Sequence, residues 1–154
     1  MKDKKMEQTL ILLKPDAIQR GLCGRIISRF EEKGLKLVAL KFMSLSDAII
    51  DEHYAPHVDK PFFPSLKKYM GSGPVVALVL ESPGVIAIAR KLMGATFGCD
   101  AEPGTIRGDF GASKGYNLVH GSDSPEAAAE EIARFFGNEG VVSHTLDLEG
   151  RLYE

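Results

Sequence analysis

The stretch Asn117-Leu118-Val119-His120-Gly121-Ser122-Asp123-Ser124 runs from apolar residues into an imidazole, then a glycine, hydroxyls and a carboxylate. Upstream, Gly104-Thr105-Ile106-Arg107-Gly108-Asp109-Phe110-Gly111 is a glycine-rich loop that carries an arginine. A reactive imidazole beside a place to hold phosphate is the equipment of phosphoryl transfer through histidine. The unperturbed imidazole pKa of ~6.5 leaves the nucleophilic neutral form abundant at neutral pH. Such a ring needs one nitrogen held while the other attacks. Glu131 is a candidate holder, although its helix runs away from the His120 turn and its spacing alone reads as a solvent-facing acid.

Phosphate oxygens call for cations and hydrogen-bond donors. Lys14 follows the first apolar run, Arg90 lies on a predicted helix before the long loop, and Arg107 sits among glycines that let backbone approach a ligand. Thr96 offers a hydroxyl and an N–H. Neither a Gly-x-x-x-x-Gly-Lys-[Ser/Thr] loop nor a Gly-x-Gly-x-x-Gly kinase loop occurs, so any nucleotide is held another way. Pro61-Phe62-Phe63-Pro64 brackets two aromatic rings with prolines; one ring is expected in the core and one, Phe62, exposed and able to stack a base. His53 reads as a solvated histidine on an exposed helix, and His144 as a tail residue of the same kind. His53 and His57 have the i, i+4 spacing of some zinc helices. Tyr54 stands where the glutamate of His-Glu-x-x-His belongs, and Pro56 disfavours helix before His57.

The elements that must position these groups follow from periodicity. Thr9 to Leu13 reads as a buried strand, Gly21 to Glu32 as a helix, Lys36 to Met43 as a strand, and Ser46 as the cap of a helix reaching Ala55. Pro61 to Met70 is a short helix, Pro74 to Leu80 the strongest strand, and Pro83 opens a helix to Met93. Residues 94–115 hold six glycines and Pro103, a loop long enough to be functional or disordered. Tyr116 to Val119 is a brief strand, placing His120 at its end. Ser124-Pro125-Glu126 caps a helix that runs to Phe136 with Ile132, Phe135 and Phe136 inward, and residues 137–154 form a tail with little helical period. This order suits either a doubly wound or an α+β sheet, a split β-α-β arrangement among the latter.

Composition bounds the class. The 154 residues, 44% of them hydrophobic and 26% charged, suit one soluble globular domain over 1–154. A formal net charge of -2 excludes a chain built as a nucleic-acid polyelectrolyte. Cys23 and Cys99, the only cysteines, lack disulfide or metal spacing, which points to a reducing cytosol. No apolar run approaches the ~18 residues of a membrane span, and the charged start Met1-Lys2-Asp3-Lys4-Lys5 leads into no signal-peptide core.

Nearly the whole chain resembles the nucleoside diphosphate kinase family. Asn117-Leu118-Val119-His120-Gly121-Ser122-Asp123 resembles its highly specific active-site signature. Lys14-Pro15-Asp16, Arg90-Lys91-Leu92-Met93-Gly94-Ala95-Thr96 and Pro103-Gly104-Thr105-Ile106-Arg107-Gly108-Asp109 match its other motifs in order. The resemblance implies an α+β fold, a ferredoxin-like antiparallel sheet covered by helices. It also implies a ping-pong exchange in which a nucleoside triphosphate phosphorylates Nδ1 of His120 and a nucleoside diphosphate takes the phosphate away. By the same resemblance Glu131 holds the other nitrogen and Ser122 fixes Glu131. Phe62 stacks the base, and Lys14 and Asn117 contact the ribose, Lys14 also reaching the transferred phosphate. Arg90, Thr96 and Arg107 clamp phosphates, with His57 nearby and Tyr54 in support. Mg²⁺ travels with the nucleotide rather than on protein ligands. Thr96 is followed by Phe97-Gly98 where the family often has Asn-Pro, in a loop that helps assemble hexamers. The long tail ending Tyr153-Glu154 resembles hexameric members, so a cytoplasmic homo-oligomer, a hexamer, is expected. The competing class is a non-catalytic ferredoxin-like binding module, which has no use for a phosphorylatable imidazole between Asn117 and Gly121.

Overall fold

Residues 5–153 are described by the computed structural model; the charged start at Met1-Lys2-Asp3-Lys4 and the closing Glu154 lie outside them. Four segments pair into one antiparallel sheet: β1 (Met6–Leu13), β2 (Lys36–Met43), β3 (Val75–Pro83) and β4 (Val119–Gly121), in the order β2-β3-β1-β4. This is the ferredoxin-like α+β arrangement, and the doubly wound alternative falls because every pairing is antiparallel. β1 lies centrally between β3 and β4, and Leu10 to Leu13 are fully buried in succession, which explains an apolar run without alternation.

Helices cover both faces. On one face, α1 (Pro15–Gln19), α2 (Cys23–Glu32), α5 (Val85–Met93) and α6 (Ile106–Phe110) enclose a core with Ile11, Leu13, Phe30, Leu78 and Met93. On the other, α3 (Asp47–His53), α4 (Phe63–Met70) and α7 (Pro125–Phe136) cover Leu10, Leu12, Ile50, Tyr54 and Phe135. Deeply buried apolar residues at ~1.5–3 kcal/mol each supply the main drive for this packing.

Several boundaries differ from expectation. Pro83 ends β3 instead of opening α5, which starts at Val85 after Gly84. α1 is a single turn opened by Pro15, too short to show a period. The glycine-rich loop is not structureless: it holds a 3₁₀ turn at Gly98–Asp100 and then α6, capped by the Thr105 hydroxyl accepting from Gly108 N–H. Gly108 is required there, since a Cβ would stand 1.9 Å from the Glu102 carbonyl oxygen. β4 begins at Val119, three residues later than the sequence suggests, so His120 lies within the strand rather than at its end. The tail carries α8 (Glu149–Leu152) and docks on the start of β2. Lys36 Nζ donates to Glu149 and to the His144 carbonyl, and Tyr153 donates to the Gly34 carbonyl.

Candidate active site

β4 aims His120 at the α3/α4/α7 face. It pairs opposite Leu12, whose side chain packs on that face, and directly opposite residues in an antiparallel ladder point the same way. Glu131 comes to meet it from the middle of α7, whose start is fixed by the Ser124 hydroxyl accepting from Ala127 N–H. His120 Nε2 stands 2.5 Å from Glu131 Oε1 and 3.2 Å from Oε2. A carboxylate can only accept, so Nε2 carries the proton and Nδ1 keeps the lone pair. Glu131 is thus buried against the imidazole and not the solvent-facing acid that helix spacing suggests. The buried Ser122 hydroxyl lies 3.4 Å from both carboxylate oxygens and accepts from Leu10 N–H, which ties the carboxylate to β1.

The turn before β4 is strained and heavily pinned. Leu118 is fully buried at φ 70°, and Val119 N–H donates across it to the Asn117 carbonyl at 2.8 Å, closing a γ-turn. A non-glycine residue in this region costs on the order of 1–3 kcal/mol and persists only when its surroundings over-determine it. Lys14 N–H donates to the Leu118 carbonyl, and Leu118 N–H donates to Asp16 Oδ2. Asp16 is braced in turn by the Tyr69 hydroxyl. Arg107 spans the turn, with Nε on the Asn117 carbonyl, Nη2 on that of Val119, and Nη1 on that of Gly94. Gly121 continues the strand because a Cβ would lie 2.7 Å from Met93 Sδ. The glycine therefore serves packing beneath the sheet as well as access to the imidazole.

These elements enclose a cleft of about 1210 Å³ lined by Lys14, Tyr54, His57, Phe62, Arg90, Thr96, Arg107, Asn117, His120 and Glu131. Ser122 stands behind Glu131 rather than on the wall. Lys14 Nζ donates to Asn117 Oδ1 at 2.7 Å, and Asn117 Nδ2 donates to the Thr96 carbonyl, so three sequence-distant residues form one wall. Burial, with the Arg107 charge added, lowers the Lys14 pKa to about 8 against the opposing pull of Asp16. Burial, then Arg90, lowers that of Arg107 to about 10. Cations desolvated in this way are poised for an anion. Arg90 is exposed at the rim and donates to the Gly121 carbonyl. Phe63 is in the core and Phe62 is half exposed at the mouth, its ring 5.5 Å from that of His57. The Tyr54 hydroxyl and His57 Nδ1 are buried without a partner among the described residues.

His53 corrects the sequence reading. It is half-buried on the cleft wall, and its ring centroid is 4.7 Å from that of His120. Tyr116 and Lys114 also line the cleft without having stood out in sequence. Their signal was only proximity to Asn117.

A family sequence model described as nucleoside diphosphate kinase matches residues 7–141. The chain belongs to the nucleoside diphosphate kinase family. It is 54% identical to the nucleoside diphosphate kinase of Carboxydothermus hydrogenoformans over 97% of this chain and 100% of that one. It is 52% identical to that of Methanocorpusculum labreanum over the same shares. The fold superposes on the Halobacterium salinarum enzyme in complex with CDP with a TM-score of 0.95, at 47% identity over 97% of this chain and 100% of that one. A Babesia bovis family member gives 0.92 at 46% identity, over 96% of this chain and 99% of that one. As a nucleoside diphosphate kinase the chain is a phosphotransferase that moves phosphate between nucleotides. Among the described residues no helix is long and apolar enough to cross a membrane.

Proposed function

We propose that the transfer is ping-pong, with His120 as the phosphate carrier. The observation that carries this reading is the Glu131 contact, in which the carboxylate accepts from Nε2–H and leaves the Nδ1 lone pair for attack. That lone pair attacks the terminal phosphorus of a bound nucleoside triphosphate. The bond to the bridging oxygen breaks, and its electron pair leaves on the nucleoside diphosphate. The imidazole, now phosphorylated at Nδ1 and protonated at Nε2, is cationic, and Glu131 offsets that charge. A second nucleoside diphosphate then attacks the same phosphorus through a terminal phosphate oxygen and restores the free ring.

Lys14, Arg90, Arg107 and Thr96 bind the phosphates, and Lys14 with Asn117 holds the ribose. Three of the guanidinium donors of Arg107 already hold carbonyls, so it serves the phosphates with the remainder while fixing β4. Tyr54 supports the site and His57 stands nearby, both on the cleft wall. Phe62 stacks the base at the mouth, which tolerates any base because every base has a π-face. Mg²⁺ prefers oxygen ligands and retains several waters. Lys14, Arg90 and Arg107 give the wall cations, Glu131 is engaged by His120, and Glu52, Asp123 and Glu130 also line the cleft, so the donor set fits an ion carried mainly by the nucleotide phosphates and neutralising their charge. Residues 1–154 act as one unit, in the cytoplasm, as a homo-oligomer and specifically a hexamer. Support comes from β2, a sheet edge with Leu40 and Phe42 exposed at 57% and 65%. Sedimentation as a stable dimer or tetramer would refute the hexamer.

Incubation with γ-labelled ATP is expected to leave acid-labile, alkali-stable label on the protein, discharged by ADP, GDP or CDP. His120→Ala abolishes label and turnover. Normal turnover in that variant would falsify the assignment.

A further inference from the structure

The Glu131 contact fixes one atom of the His120 ring and leaves the ring free to turn about that point. A second constraint is needed to hold its plane. His53, at the end of α3, supplies one: the two ring centroids are 4.7 Å apart and the planes cross at 80°. His53 is itself clamped, edge against face, by Tyr54 at 4.7 Å and Phe135 at 5.4 Å. Arg134 of α7 donates from Nη1 to His53 Nδ1 at 3.1 Å, and its Nε lies 3.3 Å from Glu52 Oε1. A guanidinium has donors only, so Nδ1 is the acceptor and the proton sits on Nε2.

This tautomer bears on a second possibility. His53, His120 and Glu131 each bring a ligand atom within 4.8 Å of the others, a spacing that a metal ion could bridge. With Nδ1 held by Arg134 and Nε2 protonated, His53 has no bare nitrogen to offer, and Arg134 adds a positive charge beside the trio.

We propose that His53 is a positioning residue that fixes the plane of the His120 imidazole and, as an uncharged neighbour, does not oppose the positive charge the ring gains on phosphorylation. Burial, then the charges of His120, Arg134 and Lys14, push the His53 pKa down to about 2, consistent with a ring that stays neutral. Other groups against it are the uncharged Tyr54 and Phe135 and the Glu131 carboxylate, which brings an oxygen within 4.8 Å of a His53 ring nitrogen. The inference rests on His120 being the phosphate carrier. It extends that reading to a residue that acts through the His120 ring.

The test measures the maximal rate of His120 phosphorylation by ATP, and the ATP concentration that half-saturates it, by rapid quench on the full-length protein. His53→Ala is expected to lower the maximal rate about tenfold or more, as small misalignments of a nucleophile do, with half-saturation unchanged. His53→Phe, which restores an uncharged ring edge, recovers most of that rate, whereas His53→Asn, which restores only an acceptor for Arg134, does not. A His53→Ala rate equal to wild type overturns the inference. So does a loss of ATP saturation in step with the rate, or recovery by Asn and not by Phe. Should His53→Ala fail to fold, the Phe and Asn variants decide by the same comparison. A wild-type protein that forms no phosphohistidine instead overturns the assignment of His120 itself.

Discussion

Glu131 Oε1 lies 2.5 Å from His120 Nε2, joining the middle of α7 to the strand that carries the imidazole. The contact selects a tautomer as well as an orientation. Glu131→Ala removes both functions and leaves the Ser122 hydroxyl without this partner. The maximal rate of phosphoenzyme formation is expected to fall about a hundredfold, the size of loss that misplacing a reacting group by 1 Å produces. Glu131→Gln still accepts from Nε2–H but carries no charge, so its loss is smaller and lies in stabilising the phosphorylated ring. Rapid-quench measurements separate the two variants, and equal rates for Ala and wild type would remove Glu131 from the mechanism.

Much of this was legible in the chain. Lys36 to Met43 was readable as a strand to the residue, and the order of elements admitted the observed sheet. The His120 stretch and the cations at Lys14, Arg90 and Arg107 stood out because their chemistry is unusual at strand ends and in glycine-rich loops. What packs on a helix face is not written in that helix's own period, and this is why Glu131 and His53 read as solvated. Both are turned inward by partners more than ten residues away in sequence or on another element. The γ-turn at Leu118 left no signature, because a leucine at positive φ is dictated by Lys14, Asp16 and Arg107 and not by its own preference.

Asp16 tests how that turn is held. Its carboxylate accepts from Leu118 N–H and from the Tyr69 hydroxyl, and Asp16→Ala strands both donors in or near the core. Each unsatisfied buried group costs ~1–3 kcal/mol. The expected destabilisation is therefore about 2–6 kcal/mol by chemical denaturation. A loss of phosphorylation rate accompanies it as the Leu118 turn relaxes. A variant as stable as wild type would mean that Lys14 and Arg107 suffice.

Gly108 and Gly121 separate two kinds of crowding. At Gly108 a Cβ meets backbone, 1.9 Å from the Glu102 carbonyl oxygen, and nothing nearby can yield. At Gly121 it meets the far end of the flexible Met93 side chain at 2.7 Å. Gly121→Ala should cost about 1–3 kcal/mol, as overpacking does, and Gly108→Ala more, with loss of the loop that seats Arg107. Thermal unfolding of both variants checks the order, and a reversed order would contradict the packing.

With Lys14 on the phosphates, as proposed, nucleotide binding is expected to be proton-linked. In the free protein burial lowers its pKa to about 8, below the model-peptide value of ~10.4. Phosphate oxygens beside Nζ favour the ammonium and raise the pKa on binding. The bound state therefore holds more protons, binding takes up protons near pH 8 and above, and affinity falls as pH rises through that range. Calorimetry at pH 8.5 in two buffers of different ionisation enthalpy measures the uptake. Lys14→Met should abolish it.

His53 gives the fold an acid-sensitive limb. Its pKa in the native state is about 2, held down first by burial and then by His120, Arg134 and Lys14, whereas in the unfolded chain it returns to ~6.5. Between these values the unfolded state binds the extra proton, so stability rises with pH across that window. The contribution is fully present above the unfolded value and is lost progressively as pH falls below it. The surface carboxylates of Asp109 and Glu149 also titrate low, through the Gly104 N–H and Arg29 for the first and through Lys36 for the second. Their stabilisation is lost as pH falls below the ordinary carboxylate range, near 4, so the interval from pH 6.5 to 5 isolates histidine. His53→Phe, which cannot titrate, is expected to flatten the decline of denaturation free energy over that interval. An unchanged slope would show that His53 is not held neutral in the native protein.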